Sequence, residues 1–307
     1  MTEAERARRL IMRGGWSTAA GFAVRLGARL LFLFVAGRLF GAVLFGAYVI
    51  ALAVVEAAVT IAGLGTKRLL FQWLDEGEAS GGRPPVHLVL DAAMLVTIAG
   101  SLLAGLVMGG VLLLPGSMLS ANSSTAIFLL APTIVGQVLL DIFLSATRWK
   151  HVIRYEVIGR SVVQAYAGVI AAIAAYYAGL PALGLLISYW AGTLAALAYA
   201  LIGVRRCFGG FNLRAYRVRL GWLAARVPAI AINSVTDFVD GLYTRLDLYL
   251  VGILLGEGPA GIYGMARQVS IPIRQVRQSF DGLLIPVVTR TLSATGPAET
   301  GKAIASA

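Results

Sequence analysis

The sequence predicts an all-α polytopic membrane protein, and three observations carry that prediction. Hydrophobic residues fill 58% of the 307 positions and charged residues only 13%, at a mean hydropathy of +0.81. An ordinary soluble domain is about 25% charged, and no soluble core of this chain length absorbs so much apolar sequence. The apolar residues fall in runs of about 20, the length a helix needs to cross a bilayer. Finally, the basic residues collect in alternate connectors. Together these exclude a soluble enzyme, a disordered tail and a disulfide scaffold.

Eight spans are expected, at 15–40, 44–66, 87–114, 125–147, 156–178, 182–204, 224–253 and 262–288, with longer connectors only at 67–86 and 205–223. Met1–Arg13 is polar and basic, and no small-residue cleavage site follows a short apolar core. It is expected to be a retained tail, not a removable signal. With the N-terminus in the cytoplasm, 19 of the 26 Lys and Arg fall on the cytoplasmic side, Arg148, Lys150, Arg154 and Arg160 among them. The opposite loops, around 115–124, 179–181 and 254–261, contain none, which is the positive-inside pattern. The net charge of +11 is therefore expected to be a topology signal rather than a nucleic-acid footprint.

The single cysteine, Cys207, permits no internal disulfide, and with only His87 and His151 present no metal site is expected. No Walker A loop or histidine-based acyltransferase site is present, and no cofactor is expected.

Many of the 36 glycines suit close helix packing in a membrane. One set repeats. Gly37-x3-Gly41-x4-Gly46-x-Tyr48 recurs as Gly252-x3-Gly256-x4-Gly261-x-Tyr263 at an offset of 215, with nine identities in the 24 positions 31–54. Each copy is expected to be the turn between two long helices, so spans seven and eight would repeat spans one and two. Residues 1–220 then form a six-helix lobe, and 221–307 supply the first two helices of a second, apparently incomplete lobe. Doubling the offset gives a symmetric whole of about 430 residues.

Ionisable residues inside a membrane cost about 2.5–3.5 kcal/mol each on insertion scales and mark function by default. Here they are Arg25 and Arg29 in span one, Glu56 in span two, Asp237, Asp240, Arg245 and Asp247 in span seven, and Arg267, Arg274, Arg277 and Asp281 in span eight. At 100° per residue the three span-eight arginines lie within an arc of about 80°, with Asp281 on the same stripe and Pro272 between. Six arginines face five acids in this set, so at least one cation is expected to need an anion from outside. Buried Arg–Asp pairs that merely hold helices together are the alternative. Asp237-x2-Asp240-Gly241-x2-Thr244-Arg245 also resembles the first half of the phosphatidyltransferase signature of CDP-alcohol enzymes, but Thr244 replaces its Ala, and Leu254, Gly258 and Ile262 stand where its second half needs Gly, Asp and Asp.

The stretch 14–74, through Phe-Gly-Ala-Val-Leu-Phe-Gly-Ala-Tyr48, and the second copy, Gly256-Glu-Gly-Pro-Ala-Gly261-Ile-Tyr263, resemble the hairpins of polysaccharide and O-antigen flippases. These belong to the multidrug/oligosaccharidyl-lipid/polysaccharide exporter superfamily. The resemblance implies two six-helix lobes around a central cavity, as in the related lipid II flippases. It also implies a non-enzymatic transporter in the bacterial inner membrane that moves a lipid-diphosphate-linked oligosaccharide to the periplasmic leaflet for polysaccharide biosynthesis. Its partners would be the undecaprenyl-diphosphate-type substrate, the bilayer and polysaccharide polymerase machinery. Arg25, Arg29, Arg267, Arg274 and Arg277 would bind the diphosphate, and Glu56, Asp237, Asp240, Arg245, Asp247 and Asp281 would couple to an ion or pair charge. The runner-up is a cation-coupled exporter of drugs or other small molecules, for which a net negative cavity is expected. The CDP-alcohol phosphatidyltransferase is the remote alternative.

Overall fold

A computed structural model describes residues 24, 26–80, 84–113, 120–209 and 226–270, without the side chains of Ser80, Val227, Asp240 and Leu242. Helices dominate, and no strand occurs among the described residues. The chain divides into a unit Met1–Gly264 and a unit Met265–Ala307.

In the larger unit, α1 runs over 26–40, its last turn, Ala36–Phe40, wound as a π-helix. It is followed by α2 (Gly41–Ala62), α3 (Thr66–Ser80), α4 (Pro85–Leu113), α5 (Ala121–Leu130) and α6 (Thr133–Trp149). Then come α7 (Arg154–Tyr177), α8 (Pro181–Phe208), α9 (Val227–Leu255) and the start of α10, over 257–270. Residues 265–270 of α10 lie in the smaller unit.

Four helical stretches among the described residues are long and apolar enough to cross a membrane, and a fifth if α5 and α6 form one bent span. The described residues thus show an all-helical membrane protein, with fewer spans among them than the eight expected. Residues 271–288 of the expected span eight lie outside the described residues, and the rest of the difference has physical sources. Leu26–Ala79 counts as one stretch, yet it is folded: the rings of Phe32 and Tyr48 are 6.1 Å apart, whereas sixteen residues of straight helix would separate them by about 24 Å. Helix α9 carries Asp237, Asp240, Arg245 and Asp247 and is not apolar enough to count.

Two expectations are corrected. The connector 67–86 is mostly the amphipathic helix α3, which buries Leu69, Leu70, Trp73 and Leu74 and exposes Asp75, Glu76 and Glu78. Span four is not continuous: α5 and α6 meet at 43° across Ala131–Pro132, where proline has no N–H for the helix ladder.

Helix direction alternates as the loops require, and like ends meet. At one end the indole of Trp149 donates to Asp75 (2.6 Å) and stacks on Phe208, Arg226 pairs with Glu76, and Arg68 approaches Asp237 to 3.8 Å. All these contacts lie at or beside the basic connectors. At the other end Phe40 meets Tyr176, and Glu257 meets Ser120 and Ser123.

The two glycine turns share one unusual backbone conformation. Gly41 has φ +75° and ψ 174°, and Gly256 has φ +83° and ψ −171°. Only glycine enters that region readily. A Cβ on Gly46 would run into the carbonyl oxygen of Glu257, and a Cβ on Gly261 into that of Ala42. These four residues are two repeat-equivalent pairs, so the contact is reciprocal, as across a two-fold axis. Gly264 likewise faces Val49, its own equivalent. Matching steps in the same direction make α2 and the first turns of α10 parallel, with both turns at the same end.

Candidate functional site

Helices α1, α2, α7 and α8 line an open cavity of about 310 Å³. Its polar lining is Arg29 from α1, Tyr48 from α2, Arg160 and Gln164 from α7, and Ser188 and Tyr189 from α8. The geometry follows from local sequence. Over Gly159–Gln164, α7 is π-helical; such widened turns recur at functional sites, and this one carries both Arg160 and Gln164. Alongside it, α8 comes close because position 192 is glycine: a Cβ there would stand 2.7 Å from the Gln164 carbonyl oxygen.

Arg160 also touches a carboxylate. Asp141, only 7% exposed on α6, holds the Arg160 guanidinium with one oxygen and the Lys67 ammonium of α3 with the other. Asp141 lies eight residues before Trp149, about 12 Å inside the basic end of the bundle. A buried carboxylate without such partners would be strongly penalised. Two cations share one anion here, and Arg29 adds a further positive group to the cavity wall.

Of the residues singled out from sequence, Glu56 and Arg245 are brought together: Arg245 donates to one Glu56 oxygen from Nε (3.0 Å) and Nη2 (2.8 Å). The pair sits in an antiparallel seam between α2 and α9 that also contains the Tyr249 hydroxyl bond to the Ala53 carbonyl (2.8 Å) and the Gly241–Thr60 approach. Asp237 faces Arg68, and Asp247 accepts from the Tyr263 hydroxyl (2.7 Å). Arg29 alone of the five expected anion ligands lines the cavity among the described residues. Arg267 belongs to the smaller unit. Arg25, Arg274, Arg277 and Asp281, and the side chain of Asp240, lie outside the described residues.

Two buried carboxylates were missed by the sequence reading: Asp141 on α6 and Asp91, fully buried on α4. The rule that found Glu56, that a charge within an apolar run marks an interior position, would have found both. Arg160 was assigned to topology because it stands near a span end. Including Asp91 and Asp141 removes the surplus of arginines over acids within the spans. A positive lining therefore rests on where Arg29 and Arg160 stand, not on a count along the chain.

No protein-family model matches this chain, and no curated protein matches it. A solved structure described as "protein A" resembles it with a TM-score of 0.60 at 14% identity, over 93% of this chain and 66% of that one. At that identity the likeness is one of fold. This chain spans 66% of the length of that structure.

Proposed function

We propose that this chain forms a six-helix lobe and the first hairpin of a second, with its N-terminus in the cytoplasm of a bacterial inner membrane. In that arrangement it flips a lipid-diphosphate-linked oligosaccharide by alternating access, for polysaccharide synthesis. The observation that carries the reading is the cavity wall: two guanidinium groups, Arg29 and Arg160, and no carboxylate among the described lining residues. Guanidinium groups stay charged at any relevant pH and grip phosphate oxygens in bidentate fashion. A diphosphate head group entering the cavity would meet these arginines, while its prenyl tail stays in lipid. The reciprocal packing of the two glycine turns supports a two-lobed design, since repeats around a central site are a common transporter plan.

The cation-coupled exporter finds less support. Glu56 and Asp247 each accept a hydrogen bond from the protein itself, Asp237 lies 3.8 Å from the Arg68 guanidinium, and none of the three lines the cavity.

The test is to replace Arg29 by Gln and by Lys, and to measure membrane abundance and surface polysaccharide together. The flippase reading expects normal abundance with export lost in the Gln variant and partly restored in the Lys variant, which keeps the charge but not the fork. Normal export from whatever Gln variant reaches the membrane would make Arg29 structural and refute the reading.

A further inference from the structure

We infer that Asp141 is a built-in competitor for Arg160: it holds the guanidinium while the cavity is empty and yields it to the substrate anion, with Lys67 setting how firmly Asp141 holds. The inference rests on the diphosphate reading above and deepens it by assigning Arg160, Asp141 and Lys67 to the regulation of that site.

Three observations lead to it. Arg160 belongs to two places at once, the cavity wall and the Asp141 ion pair. An incoming phosphate therefore offers it a second acceptor of the same chemistry, because carboxylate and phosphate oxygens both match the guanidinium fork. Next, Asp141 is shared. Lys67 engages its second oxygen, so when Arg160 turns toward an anion the buried carboxylate keeps a cationic partner and avoids the cost of standing alone. Lastly, Arg160 stands on a π-helical turn, while Asp141 and Lys67 arrive from α6 and α3. Releasing Arg160 therefore removes one tie between α7 and those helices, while the Arg148–Glu156 pair still joins α7 to α6. Asp141 and Lys67 do not line the cavity, so they act as positioning residues through Arg160.

The experiment uses the full chain purified in detergent and two probes, farnesyl diphosphate and inorganic pyrophosphate. Affinities are compared for wild type, Asp141→Asn, Lys67→Met, and each of these combined with Arg160→Gln. Removing the competitor should tighten binding of farnesyl diphosphate by roughly tenfold in Asp141→Asn, the scale of one charge-assisted hydrogen bond. Lys67→Met should weaken binding several-fold, because Asp141 then pulls on Arg160 alone. Both effects should vanish in the Arg160→Gln background, the coupling expected of groups that act through one another. Equal effects with and without Arg160 would mean that the charges act only through their long-range field, and would overturn the inference. If Asp141→Asn does not reach the membrane, Lys67→Met carries the same test, since Lys67 is 55% exposed and its replacement leaves no core void. Pyrophosphate separates the sources of the anion, since a lipid head group predicts tighter binding of the prenylated probe. Wild-type protein that binds neither probe would sink the diphosphate reading itself, a result distinct from binding without coupling.

Discussion

Glu257 shows how one side chain can tie two distant parts of the sequence together. It follows the Gly256 turn, yet its carboxylate accepts from the Ser120 and Ser123 hydroxyls, from the Ser123 backbone N–H at 3.0 Å and from the Asn122 amide at 3.4 Å. Ser120 is the N-cap of α5, so an anion here also meets the positive end of a helix. Burial pushes the Glu257 carboxyl up, but the four hydrogen bonds outweigh it and hold the group below the ordinary value of 4.5. A depressed folded pKa means stabilisation that is present above the unfolded value and fades as pH falls through the folded one. Wild type should therefore unfold a few degrees higher than Glu257→Gln at pH 7, with the gap closing below about pH 4.5. Equal melting temperatures at pH 7 would remove Glu257 from the stability of this end.

At the scale of elements, the parallel packing of α2 and α10 rests on missing side chains. Because any Cβ on Gly46 or Gly261 meets backbone rather than a movable side chain, Gly46→Ala or Gly261→Ala should cost about 2 kcal/mol or more and lower membrane abundance. Gly109 and Gly110 on α4 have open space at the Cβ position, and alanine there should be neutral or slightly stabilising by helix propensity. Equal behaviour of the two sets would count against the close crossing. The same glycines were legible in the sequence because a repeat preserves spacing, and the Gly41 and Gly256 turns fall where that spacing put them. Helix positions were legible from apolar run length. The amphipathic α3 was not, because a run-length criterion discards a helix with apolar residues on one face only, although Leu69, Leu70, Trp73 and Leu74 have the helical spacing. The α5–α6 break was signalled by Pro132 and overlooked within an apolar run. Glu56–Arg245 could be foreseen as two charges needing partners, but not as partners of each other. The Arg160–Asp141–Lys67 cluster was illegible, since its members come from three helices and two of them look like topology charges.

On the scale of the whole molecule, charge, symmetry and cavity point the same way. Among the described residues, contacts beside the basic connectors lie at one end, and those beside the loops without Lys or Arg lie at the other. The reciprocal contacts at Gly46 and Gly261 fit two repeats related by an axis along the helices. The flippase proposed above would carry its substrate's diphosphate past Arg29 and Arg160 from one leaflet to the other. The direct measurement is translocation in proteoliposomes: a fluorescent prenyl-diphosphate sugar placed in one leaflet, its arrival in the other followed by quenching, with a cationic dye as the competing cargo. The proposal predicts that the diphosphate lipid crosses, that Arg29→Gln abolishes crossing, and that the dye does not move. Transport of the dye with no movement of the diphosphate lipid would contradict it.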